Sequence, residues 1–219
     1  MSVFKSVSPE EYSQLLDDAP ASPAFRSEFA RYKPGYYEGW SGPDCMVHQG
    51  DLKISGDFTA PGFYTLIVGN LVVDGHVSLQ NSYDKGFDEG GLFIVIGDVR
   101  CRSFSNEYGK MTFMDGDLEA EDLILNSYED SSLTVIGTLK TYFFYGIDIW
   151  AEVGIGAVME YGVGYCLPIG YTDGEDQVIR PRHDEETSLS LLDFEKTSYI
   201  ENEAFTDRIH EGRSVFKRR

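Results

Sequence analysis

Positive charge is scarce in this chain. It holds 18 lysines and arginines against 37 aspartates and glutamates, a formal net charge of -19 over 219 residues. Such a surface repels nucleic acid and anionic membranes and attracts basic proteins. The partner expected from charge is therefore a basic protein, with neither nucleic acid nor membrane. Cysteine is scarce too. Cys45, Cys101 and Cys166 are far apart and form no CxxC pair, which argues against a disulfide framework or a zinc site. The four histidines, His48, His76, His183 and His210, show no metal-ligand spacing. There is no G-x-S-x-G elbow, no P-loop and no Cys/His nucleophile pattern. Asp115-Gly116-Asp117 and Asp173-Gly174-Glu175-Asp176 hold acid at turns, but the G-G-x-G-x-D repeat of calcium β-rolls is missing. The expectation is no enzyme, no metal and no cofactor. Long apolar runs are absent as well. No stretch approaches membrane-spanning length, and the Met1 end lacks a signal-peptide core, so a cytoplasmic protein is expected.

What is present is a repeat. A glycine, a small or polar residue and an aliphatic residue recur as Gly50-Asp51-Leu52, Gly69-Asn70-Leu71, Gly97-Asp98-Val99, Gly116-Asp117-Leu118 and Gly137-Thr138-Leu139. The steps are 19, 28, 19 and 21 residues, and a weaker copy, Gly156-Ala157-Val158, follows after 19 more. The long step carries a polar insertion from Tyr83 to Gly91. A period near 20 marks a solenoid. Two residues after each marker glycine stand Leu52, Leu71, Val99, Leu118, Leu139 and Val158. Four after it stand Ile54, Val73, Cys101, Ala120, Thr141 and Glu160. The residues between are mostly polar, so each marker opens a strand with these two columns inward. Cys101 then reads as a buried, inert thiol. Further apolar patches before and after each marker predict three short strands per turn. The fold class expected is all-β: a single-stranded parallel β-helix of about six three-sided coils, with short capping helices at both ends.

The flanks complete a three-part layout. Residues 1–45 form an N-terminal helix and aromatic cap. The helix spans 8–19, with Ser8 as N-cap, Pro9 at its first position and Glu11 completing a capping box. Tyr12, Leu15, Leu16 and Ala19 share its apolar face. Residues 20–45 show no clear period; they hold Phe25, Phe29, Tyr32, Tyr36, Tyr37 and Trp40, and read as a cover for the first coil. Residues 46–170 form the solenoid. Residues 171–219 form an acidic linker and a capping segment, with Leu189, Leu192, Phe205, Ile209 and Phe216 as its apolar contacts. Both flanks are expected to block the coil ends, which leaves a monomer or a small closed oligomer.

Two exterior features remain as binding candidates. One is acid on the coil corners: Asp84, Asp88, Glu89, Asp117, Glu119, Glu121, Asp122, Glu129 and Asp130. The other is aromatic crowding on the late coils, from Tyr142 through Tyr145 to Trp150, Tyr161 and Tyr165, unless residues 189–216 cover it. Acid beside aromatics suits a basic protein partner. The candidate partner-binding residues are Glu119, Glu121, Asp122, Tyr142, Tyr145 and Trp150.

The triplets Gly69-Asn70-Leu71-Val72-Val73-Asp74-Gly75 and Gly97-Asp98-Val99 resemble those of the bactofilin-like, polymer-forming cytoskeletal β-solenoids of bacteria. The layout, ending Ile209-His210-Glu211-Gly212-Arg213-Ser214-Val215-Phe216, is similar to stand-alone relatives found beside polymorphic toxins. That resemblance implies an immunity or antitoxin-like protein that occludes a basic toxin, plausibly a nuclease. The alternative it implies is a structural scaffold whose coil ends stack.

Overall fold

The computed structural model describes residues 3–36, 44–79, 91–106, 110–127, 131–148, 150–171, 177–193 and 202–217. In chain order its elements are β1 (Lys5–Val7), α1 (Pro9–Asp18), α2 (Pro23–Tyr36), β2 (Cys45–Gln49), β3 (Leu52–Ile54), β4 (Phe58–Thr59), β5 (Tyr64–Val68) and β6 (Leu71–Ser78). There follow β7 (Leu92–Ile96), β8 (Val99–Asn106), β9 (Met111–Met114), β10 (Leu118–Ser127), β11 (Ser132–Val135) and β12 (Thr138–Ile147). The chain closes with β13 (Ala151–Val153), β14 (Gly156–Val163), β15 (Ile169–Gly170), β16 (Gln177–Val178), α3 (Glu185–Ser190) and α4 (Asn202–His210).

The strands form a parallel β-solenoid of about six coils. Each coil gives one short strand to a first sheet, ordered β2-β5-β7-β9-β11-β13, and one long strand to a second, ordered β3-β6-β8-β10-β12-β14. The three strands per coil expected from sequence are found only in the first coil, as β2, β3 and β4. From the second coil onward the second and third sides are one continuous bent strand. The bend sits where β6 and β10 each carry one residue more than β8, at Asp74-Gly75 and Glu121-Asp122. Such bulges turn a strand without ending its pairing.

The marker glycines do stack. A Cβ on Gly69, Gly97, Gly116 or Gly137 would lie 2.4, 2.6, 2.7 or 2.7 Å from the carbonyl oxygen of the marker in the preceding coil. No side chain fits that approach, and Gly69 also needs a φ of +141°. The residue after each marker does more than turn the chain. Oδ1 of Asp51, Asn70, Asp98 and Asp117 accepts the backbone N–H of Asn70, Asp98, Asp117 and Thr138, at 2.7–2.9 Å. This ladder pairs a corner amide that the strand ladder leaves over. Asp98→Ala should therefore cost about 1–2 kcal/mol, while Asp98→Asn, which keeps the acceptor and removes a charge stacked on Asp117, should cost under about 0.5 kcal/mol. Urea denaturation of the two variants checks the difference.

The inward columns are as expected through five coils: Leu52, Leu71, Val99, Leu118 and Leu139 are buried, as are Val73, Cys101, Ala120 and Thr141. The sixth coil departs. Leu139 pairs with Ala157 and Thr141 with Met159, so Ala157 and Met159 turn inward. Val158 is 45% exposed instead, and Glu160 bonds Arg182 on the surface. The cause is one residue fewer in that turn. Ile155, not Gly156, stacks on Gly137, its N–H donating to the Gly137 carbonyl.

The flanks cover sides as well as ends, and α1, α2 and the C-terminal apolar segment lie along the sides. Alternate residues of the first sheet, such as Leu66, Ile94 and Phe113, face away from the core and are buried by Tyr12, Leu16, Phe25 and Phe29. Residues 20–45 thus include a second helix. Ser22 accepts the Phe25 N–H as its N-cap, and the Asp115 carboxylate of the fourth coil accepts the Ser22 N–H at 2.6 Å. Phe29 meets Phe113 edge-on at 5.2 Å. On the third side, Leu123, Leu125, Phe143 and Tyr145 are buried by Leu192, Phe205 and Val215. The C-terminal segment therefore does cover late-coil aromatics, with Tyr145 and Phe205 4.7 Å apart.

The ends are closed by other pieces. At the first coil β1 pairs antiparallel with β2, and Phe4 stacks on Phe58 at 6.0 Å. At the last, β15 follows β13 and β16 returns antiparallel against it. The N–H groups of Arg182 and His183 donate to the carbonyls of Met159 and Glu160, occupying the edge of β14.

Candidate functional site

Two sides are wrapped, and among the described residues the second side, the first half of each long strand, is left open. Its outward positions run coil by coil as Lys53; Val72 and Asp74; Arg100 and Arg102; Glu119, Glu121 and Asp122; Lys140 and Tyr142; Val158 and Glu160. Period-two alternation puts them there, because their neighbours fill the core.

Acid on this face is matched by base. Glu119 receives Arg100 at 3.1 Å and Lys140 at 2.7 Å, one from each neighbouring strand. The Lys140 hydrogen bond, with the nearby charges of Lys140 and Arg100, holds the Glu119 carboxyl below the usual carboxylate range. Arg102 bonds Asp122 at 2.8 Å and Arg182 bonds Glu160 at 3.1 Å. Among the described residues, Lys53, Asp74 and Glu121 make no ion pair. Five acidic residues (Asp74, Glu119, Glu121, Asp122, Glu160) face five basic ones (Lys53, Arg100, Arg102, Lys140, Arg182). The charge of -19 therefore resides elsewhere on the molecule.

Of the six candidate binding residues, Glu119, Glu121, Asp122 and Tyr142 share this face. A groove of about 400 Å³ runs between Glu119, Glu121, Lys140, Tyr142, Val158 and Arg182. Tyr142 is half-buried, against Tyr161 at 5.0 Å and Phe216 at 5.6 Å. Tyr145 is corrected: at 1% exposure under Phe205 it offers a partner no surface. Trp150 lies apart, 39% exposed, at the corner between the third and first sides. Of the corner acids, Asp84, Asp88, Glu89, Glu129 and Asp130 lie outside the described residues, as do Tyr37 and Trp40.

Exposed apolar side chains gather toward the last coil: Trp150 and Tyr165 were among the expected late-coil aromatics, whereas Ile155, Val158 and Val178 were not foreseen. Six large apolar side chains are exposed among the described residues, and five, Trp150, Ile155, Val158, Tyr165 and Val178, fall at or after the sixth coil. Ile155 is 77% exposed and Tyr165 59%. The Tyr165 hydroxyl bonds Asp148, whose φ of 68° is the one left-handed non-glycine backbone among the described residues. The weak sixth marker was the available signal, since a slipped repeat turns a core position outward.

Buried chemistry is otherwise quiet. All three cysteines are free and buried. Burial pushes the Cys45 thiol up to about 11, with Asp44 and Glu10 adding to the shift, and raises Cys101 further. A protonated thiol is a poor nucleophile. His76 bridges Ser103 and Ser105 at 3.0 and 2.9 Å. Among the described residues, no three His, Cys, Asp or Glu side chains cluster to hold a metal, and no helix is long and apolar enough to cross a membrane.

No protein-family profile, curated protein or solved structure matches the chain.

Proposed function

We propose that this chain is a non-enzymatic acidic binding protein that docks a basic protein on its last coil, in the manner of an immunity protein that occludes a cytoplasmic toxin, plausibly a nuclease. The observation that carries the reading is the group of exposed apolar side chains around the sixth coil of a chain with a net charge of -19. Elsewhere two flanks bury the apolar faces of the solenoid, so this coil is where hydrophobic surface remains. Tyr and Trp are among the residue types that dominate binding energy, and the negative field speeds the approach of a positive partner. Trp150 and Tyr165 are the anchors in this reading, with Asp148, which the Tyr165 hydroxyl bonds, as their acidic neighbour.

Co-expression with the product of the adjacent gene, scored for growth protection and titrated by calorimetry, tests the proposal. With such a partner, Trp150→Ala should weaken binding by about 2 kcal/mol, roughly thirtyfold, leaving the melting temperature unchanged. Association should also slow as salt rises. A neutral or acidic neighbour with neither binding nor protection would remove the reading. The scaffold alternative requires bare coil ends, whereas β1, β16 and residues 182–183 occupy three edges.

A further inference from the structure

The sign of charge on the open face alternates by coil. Lys53 is followed by Asp74, then Arg100 and Arg102, then Glu119, Glu121 and Asp122, then Lys140, then Glu160. An alternating series with an even number of rows inverts when reversed. A second copy laid face to face about a two-fold axis parallel to the strands would meet this face with its coil order reversed. Third coil would then lie over fourth, second over fifth and first over sixth, and the four inner rows would meet the opposite sign, while Glu160 of the sixth is already held by Arg182. We infer that the open second side is a self-complementary interface, and that its occupant is a second copy of this chain in a closed, two-fold dimer. This goes beyond the proposed binding role and does not use its anchors. Trp150 and Tyr165 sit by the third side, away from the face.

The register is specific. With the axis along the strands, Arg100 opposes Glu119 of the second copy, and Arg102 opposes Glu121 and Asp122. The same three contacts recur by symmetry, as an isologous interface requires. Farther out, Lys140 lies over Val72 and Asp74 over Tyr142, which leaves Asp74 and Lys140 diagonal to each other, and Lys53 lies over Val158. An axis along the solenoid would instead lay Arg100 over Arg102 and Glu119 over Glu121, so like charge excludes that arrangement. The face also carries little of the net charge that would repel a copy, since its five acids stand against four bases on the strands and Arg182 beside Glu160. Six strands about 4.8 Å apart and about four residues deep make a flat patch of roughly 25 by 13 Å. That is about 325 Å² per copy against roughly 800 Å² for a standard interface, so a weak, transient dimer is expected. The remaining negative charge acts over a Debye length of about 10 Å at 0.1 M salt. Dimerisation should therefore peak near that ionic strength, because lower salt lets the whole chains repel and higher salt weakens the face contacts.

Sedimentation velocity of the full chain across concentration and salt provides the test. Two reversal variants make it decisive: Arg100→Glu with Arg102→Glu, and Glu119→Arg with Glu121→Arg and Asp122→Arg. Each turns the two central rows to one sign, so each should be monomeric at concentrations where the unaltered chain dimerises. An equimolar mixture should recover a heterodimer, because each variant's rows then meet opposite charge. Circular dichroism confirms that both are folded, and the conservative Arg102→Lys, which keeps the charge, should still dimerise. A monomeric unaltered chain at 200 μM and about 0.1 M salt would overturn the inference. So would a dimer that survives either reversal, or variants that fail to pair with each other.

Discussion

Leu118→Asp is expected to leave the chain unfolded at 25 °C. Leu118 is 0% exposed in the middle of the stack, paired with Val99 on one side and Leu139 on the other. An aspartate there would place a carboxylate in a column with no base or donor to receive it. Such a group is either ionised at a cost of many kcal/mol or neutralised at a cost of several, and the lost leucine adds about 2–5 kcal/mol. Together these exceed the stability of about 5–15 kcal/mol typical of a domain. Far-ultraviolet circular dichroism and dye binding give the readout. Glu119→Leu, one residue along on the open face, is the control, and it should remain folded. A folded Leu118→Asp would mean that the coils do not share one continuous core.

The second large effect concerns Lys110. This lysine is 0% exposed and starts the fourth coil, yet its Nζ donates at 2.8 Å to the carbonyl of Gly62, two coils earlier. The side chain passes Gly91 of the intervening coil, where a Cβ would lie 3.5 Å from its Cε and 2.0 Å from the Phe63 oxygen. Among the described residues no carboxylate pairs with it. Burial lowers its pKa from 10.5 to about 8. Folded below unfolded, the group binds its proton more tightly in the unfolded chain between about pH 8 and 10.5. Its penalty is therefore complete below pH 8 and relieved as pH rises through that window, worth about 3 kcal/mol. Cys45 and Tyr145 act in the opposite sense, since burial raises both and ionisation favours the unfolded chain at high pH. The comparison with Lys110→Met removes their contribution. The stability of Lys110→Met relative to the unaltered chain should fall by about 3 kcal/mol from pH 7 to pH 10.5. Denaturant titrations at the two values measure it, and a difference that does not change with pH would show that Lys110 reaches water.

The second helix shows where sequence reading fell short. Ser22-Pro23 is a helix start, and Phe25, Phe29, Tyr32 and Tyr36 follow at helical spacing. Pro34-Gly35 hid the period by mimicking a turn, whereas the structure continues α2 to Tyr36. The Asp115 carboxylate that receives Ser22 explains why the helix begins there, and that contact spans 93 residues. The acid candidates failed differently. Glu119 faces outward on its strand, as alternation requires, but is half-buried where Arg100 and Lys140 reach it from strands 19 and 21 residues away. A run of acid in one coil is neutralised by the coils beside it, and a linear reading meets them as separate segments.

The coil count, the stacked glycines and the inward columns were determined by the sequence itself. In a parallel solenoid each coil's backbone bonds to the equivalent residue of the next, so a side-chain preference repeated at one period is also a spatial column. Local alternation and global packing then carry the same information. Only the tertiary structure decided where the flanks lie, which face stays open and how the sixth coil slips. An apolar helix face states that something must cover it, not which of several apolar surfaces will. The first and third sides carry apolar residues facing outward, such as Ile94 and Leu125, and these drew α1, α2 and the C-terminal segment sideways. The second side alternates charge with core residues and offered them nothing to bury. Its order of charge was legible in the sequence, but its exposure follows from the burial of the other two sides.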